Sequence, residues 1–205
     1  MIRRLFFFFA TTPGLLMLAS CATVKQQEMT TEPANWAAQV QQRLQVSSWE
    51  IRGRLGVQTE NDGGTLDIIW KQAEQDFTIR LIAPFGVANY LVQGNNESAE
   101  IRFPDGRTET VNSIDDIFAS TLQIHLPVGA VKDWLRGLPA QGMSVEKISW
   151  NEQGLLSTIK QSGWNISMEN YAGEKLLLPH AMYLSRDDNT ELEVRLVLRQ
   201  WLVDN

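Results

Sequence analysis

Trp49-Glu50-Ile51-Arg52-Gly53-Arg54-Leu55-Gly56-Val57 decides the fold. Apolar Trp49, Ile51, Leu55 and Val57 alternate with charged Glu50, Arg52 and Arg54. A period of two marks a strand with one face buried and the other in water. Outward toward the C-terminus the same period returns. Leu66, Ile68 and Trp70 alternate with Asp67 and Lys71, and Phe77, Ile79 and Leu81 with Thr78 and Arg80. Gly63-Gly64, Pro84-Phe85-Gly86, Gly94-Asn95-Asn96 and Pro104-Asp105-Gly106 read as turns between strands. Two short strands are expected over 99–103 and 108–111. Toward the N-terminus the period becomes helical. Trp36, Val40 and Leu44 lie four apart with Ala37 alongside, which predicts one amphipathic helix over 34–46.

After the sixth strand the sheet pattern stops. Ser113 suits a helix cap, with Asp115 and Asp116 in the first turn facing the positive end of the dipole. Ile114, Ile117, Phe118 and Leu122 supply that helix's apolar side. Pro127 breaks the chain, Val131, Trp134 and Leu135 share one face of a second helix, and Gly137 ends it. Strand patterns resume over 145–150, 155–161, 164–171, 176–185 and 191–203. About eleven short strands result, compatible with antiparallel hairpins and interrupted once by two helices. No alternation of strand and helix argues for a parallel sheet. Many strands fall short of the ~9–11 residues that a membrane-crossing strand needs. The expected fold is mainly β: a strongly curved antiparallel sheet with helices packed on it.

The N-terminus reads as processing rather than fold. Arg3 and Arg4 precede a broken apolar run, and Leu18-Ala19-Ser20-Cys21 forms a lipobox around the only cysteine of the 205 residues. Residues 1–20 are then a lipoprotein signal, Cys21 carries lipid, 21–33 is a polar tether, and 34–205 is the folded domain. Ala22 stands where an aspartate commonly retains a lipoprotein at the inner membrane, which favours an outer-membrane address facing the periplasm. Losing the signal leaves 16 basic and 24 acidic residues, a net charge of −8. Such a chain is a poor candidate for nucleic acid, and it does not cling to anionic lipid by charge. With one cysteine no intrachain disulfide forms, so stability must come from a core, which 185 residues can build.

Catalytic machinery is hard to assemble from this sequence. His125 and His180 are the only histidines and lie far apart, each read as a loop or surface residue. No metal-ligand spacing, nucleophile elbow or phosphate loop occurs. Asp115-Asp116 reads as an ordinary helix start, because adjacent helical positions point apart. No cofactor is expected and no catalytic residue is assigned. Apolar and aromatic residues are abundant instead, with seven tryptophans. Each alone reads as core filling. Together, on a curved sheet, they can line a hollow for an elongated apolar ligand.

The lipobox, the tryptophan-bearing first strands, Pro84-Phe85-Gly86, Leu126-Pro127, Trp134-Leu135 with Gly137-Leu138-Pro139, Gly163-Trp164, Tyr171, Leu178-Pro179 and Trp201 stand in an order that resembles the LolB family. The resemblance runs from about Trp36 to Val203. It implies a half-barrel of about eleven strands whose helices cover an apolar cavity. It implies a monomeric receptor that takes lipoproteins from a LolA-like periplasmic carrier by their acyl chains. The receptor would pass them to the inner leaflet of the outer membrane. The expected acyl-chain lining is Trp70, Ile79, Leu81, Leu91, Trp150, Trp164 and Leu196, each dependent on strand parity. Trp134, Leu135 and Leu138 are the expected cover. Pro84, Phe85 and Gly86 form the expected membrane-insertion loop, with Phe85 where relatives typically carry leucine. Phe85 either protrudes or folds back over the sheet edge. The alternative functions are a lipocalin-like lipoprotein holding one small apolar ligand, an envelope scaffold with a filled core, and an enzyme acting on lipid.

Overall fold

The computed structural model describes residues 28–121, 125–187 and 192–203. The lipobox and Cys21 lie outside the described residues. A single helix, α1 (Trp36–Leu44), precedes a meander of six strands: β1 (Ser48–Gln58), β2 (Gly63–Ala73), β3 (Asp76–Ile82), β4 (Asn89–Gly94), β5 (Ala99–Arg102) and β6 (Thr108–Val111). Two helices follow, α2 (Ile114–Thr121) and α3 (Val128–Leu135). A second meander completes the chain: β7 (Val145–Trp150), β8 (Leu156–Gln161), β9 (Trp164–Glu169), β10 (Ala181–Arg186) and β11 (Glu193–Val203).

All eleven strands form one antiparallel sheet in the order β6-β5-β4-β3-β2-β1-β11-β10-β9-β8-β7. The two meanders meet where β1 pairs with β11. The ends β6 and β7 do not pair with each other, so the sheet is open. A closed lipocalin-like barrel is therefore not the architecture.

Alternation places the predicted faces. Register aligns Ile101, Val92, Ile79, Trp70 and Ile51 in one row across five strands. From Leu55 on β1, Leu196, Met182 and Met168 continue the apolar face across three more strands. Between Arg52 and Gly53 the register with β11 shifts and leaves Arg199 as an extra residue. That bulge keeps both Leu198 and Trp201 on the inner side. It also needs Gly53, because a Cβ there would lie 2.3 Å from the Val197 carbonyl oxygen. The indole of Trp49 packs between those of Trp70 and Trp201, at 5.4 and 5.3 Å between ring centroids.

Three expectations shift. Gly63 and Gly64, read as a turn, open β2, and the turn before it is closed by the Thr59 amide on the Asp62 carbonyl at 2.7 Å. The strand expected over 176–185 begins only at Ala181. Pro179 cannot donate to a ladder, and Leu178 bonds locally with Ala172 instead. On α1 the buried residues are Trp36, Gln39 and Arg43, so the helix is turned from the Trp36–Val40–Leu44 stripe. Arg43 explains the rotation: its guanidinium donates to the Leu177 carbonyl at 2.9 Å and clamps the loop before β10. Beside it the Tyr171 hydroxyl donates to the Leu156 carbonyl at 2.6 Å. Burial pushes that phenol above its ordinary value near 10, and the Arg43 charge opposes the shift only in part.

Helix α3 is fixed to the sheet by one amide. Gln161 is fully buried. Its Oε1 accepts from Trp134 Nε1 at 2.9 Å and from the Ala140 amide at 3.0 Å, and its Nε2 donates to the carbonyls of Ala140 and Met143. Arg136 adds a bond to the Val46 carbonyl at 3.0 Å, tying the end of α3 to the segment after α1.

Two outcomes follow from these buried polar groups. Gln161→Ala strands the indole and backbone partners of the amide, so urea unfolding should lose at least about 3 kcal/mol. A loss below about 1 kcal/mol would show that the amide is not what fixes α3. A phenol whose pKa is raised by folding contributes stability at neutral pH that disappears as pH climbs through the raised value. An alkaline absorbance titration should therefore find Tyr171 still protonated well above pH 10, and Tyr171→Phe should delete that late step. Equal titration curves for the two proteins would contradict the burial argument.

Candidate functional site

The inner face of the sheet and the two-helix cover meet in an apolar seam. Leu55, Ile68, Trp70 and Leu196 line it from the sheet, and Phe118 and Val131 from the helices. Its free volume is about 20 Å³. Pockets that hold drug-sized ligands run to roughly 300–1,000 Å³. The wide trough expected from the sequence is thus shut here, filled by side chains of the cover. No polar side chain lines the seam, so a hydrocarbon would meet no desolvation cost from the wall.

The expected lining divides. Trp70, Ile79 and Leu196 reach the seam. Leu81 is fully buried on the same face, aligned with Ile68 and Tyr90. Trp164 is buried beneath α3, 6.3 Å from the Trp134 ring. Trp150 is buried against Trp36 of α1, ring centroids 5.7 Å apart, and so sits away from the seam. Leu91 is a correction. It pairs with Arg80 and Arg102 and faces outward, while Val92 takes the inner position opposite Ile79.

The cover also divides. Trp134 and Leu135 are buried in the core cluster. Leu138 is buried but lies outside that cluster. The expected cover omitted α2, whose Ile117 and Phe118 are almost wholly buried. Their adjacency in an apolar helix face was the available signal. Asp115 does more than start a helix. Its Oδ1 accepts the Gly129 amide of α3 at 3.1 Å, where Pro127 provides no side-chain cap. Asp116 behaves as expected, with its amide held by the Ser113 hydroxyl at 3.2 Å.

Pro84, Phe85 and Gly86 form a tight turn between β3 and β4. The Gly86 amide donates to the Ala83 carbonyl at 3.0 Å, and Ala83 to Ala88 at 2.9 Å. Phe85 has φ 61° and ψ 11°, close to the third position of a type II turn, which normally takes glycine. A phenylalanine held there is strained by on the order of 1 kcal/mol or more. Its relative exposure is 102 %, and that of Val87 is 78 %. The ring therefore protrudes and does not fold back. At the far edge of the sheet the segment before α1 runs along β7. Met29 exchanges two backbone hydrogen bonds with Trp150, and Glu28 accepts from the Ser149 hydroxyl at 3.1 Å.

The histidines remain apart. His125 is exposed, and His180 approaches the Leu178 carbonyl at 3.1 Å through Nδ1. Among the described residues no three acidic, histidine or cysteine side chains gather as metal ligands, and no helix is long and apolar enough to cross a membrane.

Comparison with known proteins agrees with this architecture. A LolA superfamily protein from Nitrosomonas europaea superposes with a TM-score of 0.56 at 6 % identity, over 82 % of this chain and 93 % of that one. A DUF1329 family protein from Desulfovibrio piger gives 0.54 at 11 %, over 82 % and 90 %. At such identities the likeness concerns the fold alone. In sequence, the chain is 29 % identical over 190 residues to the outer-membrane lipoprotein LolB of Nitrosococcus oceani, covering 92 % of this chain and 93 % of the relative. It is 26 % identical over 187 residues to that of Halorhodospira halophila, covering 91 % and 90 %. Residues 47–201 match the family profile described as outer membrane lipoprotein LolB. The chain therefore belongs to the LolB family of outer-membrane lipoproteins.

Proposed function

We propose that this chain is the outer-membrane receptor that accepts lipoproteins from a LolA-like periplasmic carrier and inserts them into the inner leaflet of the outer membrane. Cys21 supplies the lipid anchor, and the protein works as a monomer. The acyl chains of the cargo enter between the sheet and the helices. The observation that supports this reading is the wholly apolar seam between an open sheet and a separate helical cover.

Magnitudes make the scheme consistent. Burial is worth ~0.8 kcal/mol per CH₂, so three acyl chains in water would cost on the order of 30 kcal/mol. Cargo must pass from one apolar surface to another. The closed seam has to widen first, and α2 is the cheaper element to move. Lifting it exposes Ile117 and Phe118, at ~1.5–3 kcal/mol for each side chain. One acyl chain taken up returns on the order of 10 kcal/mol at the same cost per CH₂. Cargo burial thus outweighs displacement of the helix. Without a nucleotide or cofactor, delivery runs downhill because each acceptor holds the chains better than the last.

Phe85 acts at the final step. Dipping one phenylalanine into a bilayer gains ~1.5–3 kcal/mol. That is too little to anchor a lipidated protein, and enough to orient it. Transfer from loaded carrier to receptor, then to liposomes, tests the scheme. Phe85→Glu should keep the fold and accept cargo while losing most insertion. Phe85→Gly should relieve the left-handed backbone, raising stability by up to about 1 kcal/mol, and still insert poorly. Normal insertion by both variants would reject the role of the tip. Failure of the parent protein to take cargo from the carrier would reject the receptor reading itself.

A further inference from the structure

The two covering helices are attached in unlike ways. Helix α3 and the segment that follows it are held by polar bonds: Trp134 to Gln161 and Gln161 to Ala140, both buried, and Gln161 to Met143 and Arg136 to Val46, partly buried. Moving this unit would break these bonds, and the buried indole and amide groups would be left unpaired. The described side chains of α2 make one hydrogen bond beyond their own helix and cap, the exposed contact of Asp115 with the Gly129 amide. The other bonds around α2, Asp116 with Ser113 and Ser120 with Asp116, are internal and would travel with it. What keeps α2 down is apolar packing, and its largest inward side chain is Phe118. That ring borders the seam together with Trp70, Leu196 and Ile68.

We propose that Phe118 is an internal stopper: in the empty protein it occupies the space that a cargo hydrocarbon chain takes when the protein is loaded. This inference rests on the receptor reading above and adds a competitor to it. A cargo chain must displace the ring, so the observed affinity equals the intrinsic one reduced by the small fraction of molecules with α2 raised. Phe118 then tunes the receptor to hold cargo less tightly than the bilayer does, and its return to the seam assists release. A wall residue such as Trp70 acts in the opposite sense, because its contacts persist in the loaded state.

The sign of a substitution separates the two roles. Binding of a fluorescent palmitate analogue to the full-length lipidated protein, in detergent and then beside liposomes, reads it out. Phe118→Ala should bind the probe about tenfold tighter, as expected when the competent state no longer has to be uncovered, and should release cargo to liposomes more slowly. Phe118→Leu, which keeps the helix seated if the alanine variant loosens the fold, should shift both in the same direction by less. Trp70→Ala should bind more weakly. Equal or weaker binding by both Phe118 variants, with near-ultraviolet circular dichroism unchanged, overturns the stopper while leaving the receptor reading intact. Absence of probe binding by the parent protein overturns both.

Discussion

An open, curved sheet cannot leave its concave face wet. The strands turn most of their tryptophans, isoleucines and leucines the same way, and that face must be covered or it will aggregate. Every other feature of this structure answers that constraint. The chain leaves the sheet once, after β6, to lay two helices over the hollow. A third helix closes one end with Trp36 on Trp150 and Arg43 on the loop before β10. Because the cover is separate from the wall, the interior is both well packed and separable along one surface.

Separability depends on the kind of force at each contact. Hydrogen bonds buried in a dry interface are directional and leave costly orphans when broken. Apolar contacts are non-directional and can be exchanged for others of the same chemistry. Gln161 places the first kind under α3, whereas α2 relies on the second. A hydrocarbon can replace an apolar helix face with little net loss, and it cannot replace an amide network. The division of forces between neighbouring helices thus matches the division between frame and moving part that we propose.

Period-two alternation made β1, β3 and the body of β2 legible, because most residues between their buried apolar ones are polar or charged. It failed at β4. There Tyr90, Leu91 and Val92 are consecutive apolar residues, so nothing in the pattern selects which of them points inward. The pairing of Ile79 with Val92 decides it and turns Leu91 out. The Pro84–Gly86 turn was readable from residue type, but its backbone was not, since phenylalanine stands where glycine would normally supply the positive φ. Gln161 was invisible for another reason. A strand-end glutamine looks solvated until α3 and Ala140 are placed over it. The closure of the hollow was beyond reach, because volume depends on how facing side chains interlock and not on which of them are apolar.

The pairing of β1 with β11 bears on biogenesis. Trp49 finds Val203 across the middle of the sheet, so the two halves are joined by the most distant segments of the domain. Each meander can form from neighbouring hairpins. The seam between them must wait for the carboxyl-terminal strand, and pairings of such high sequence separation form slowly. During export the amino-terminal half emerges first, with one side of β1 unmatched and its greasy face uncovered. Until β11 emerges, the free edge of β1 has no native strand to pair with. A chain of this topology must therefore finish its own longest-range pairing before its sheet is whole and able to shield the hydrocarbon of anything else.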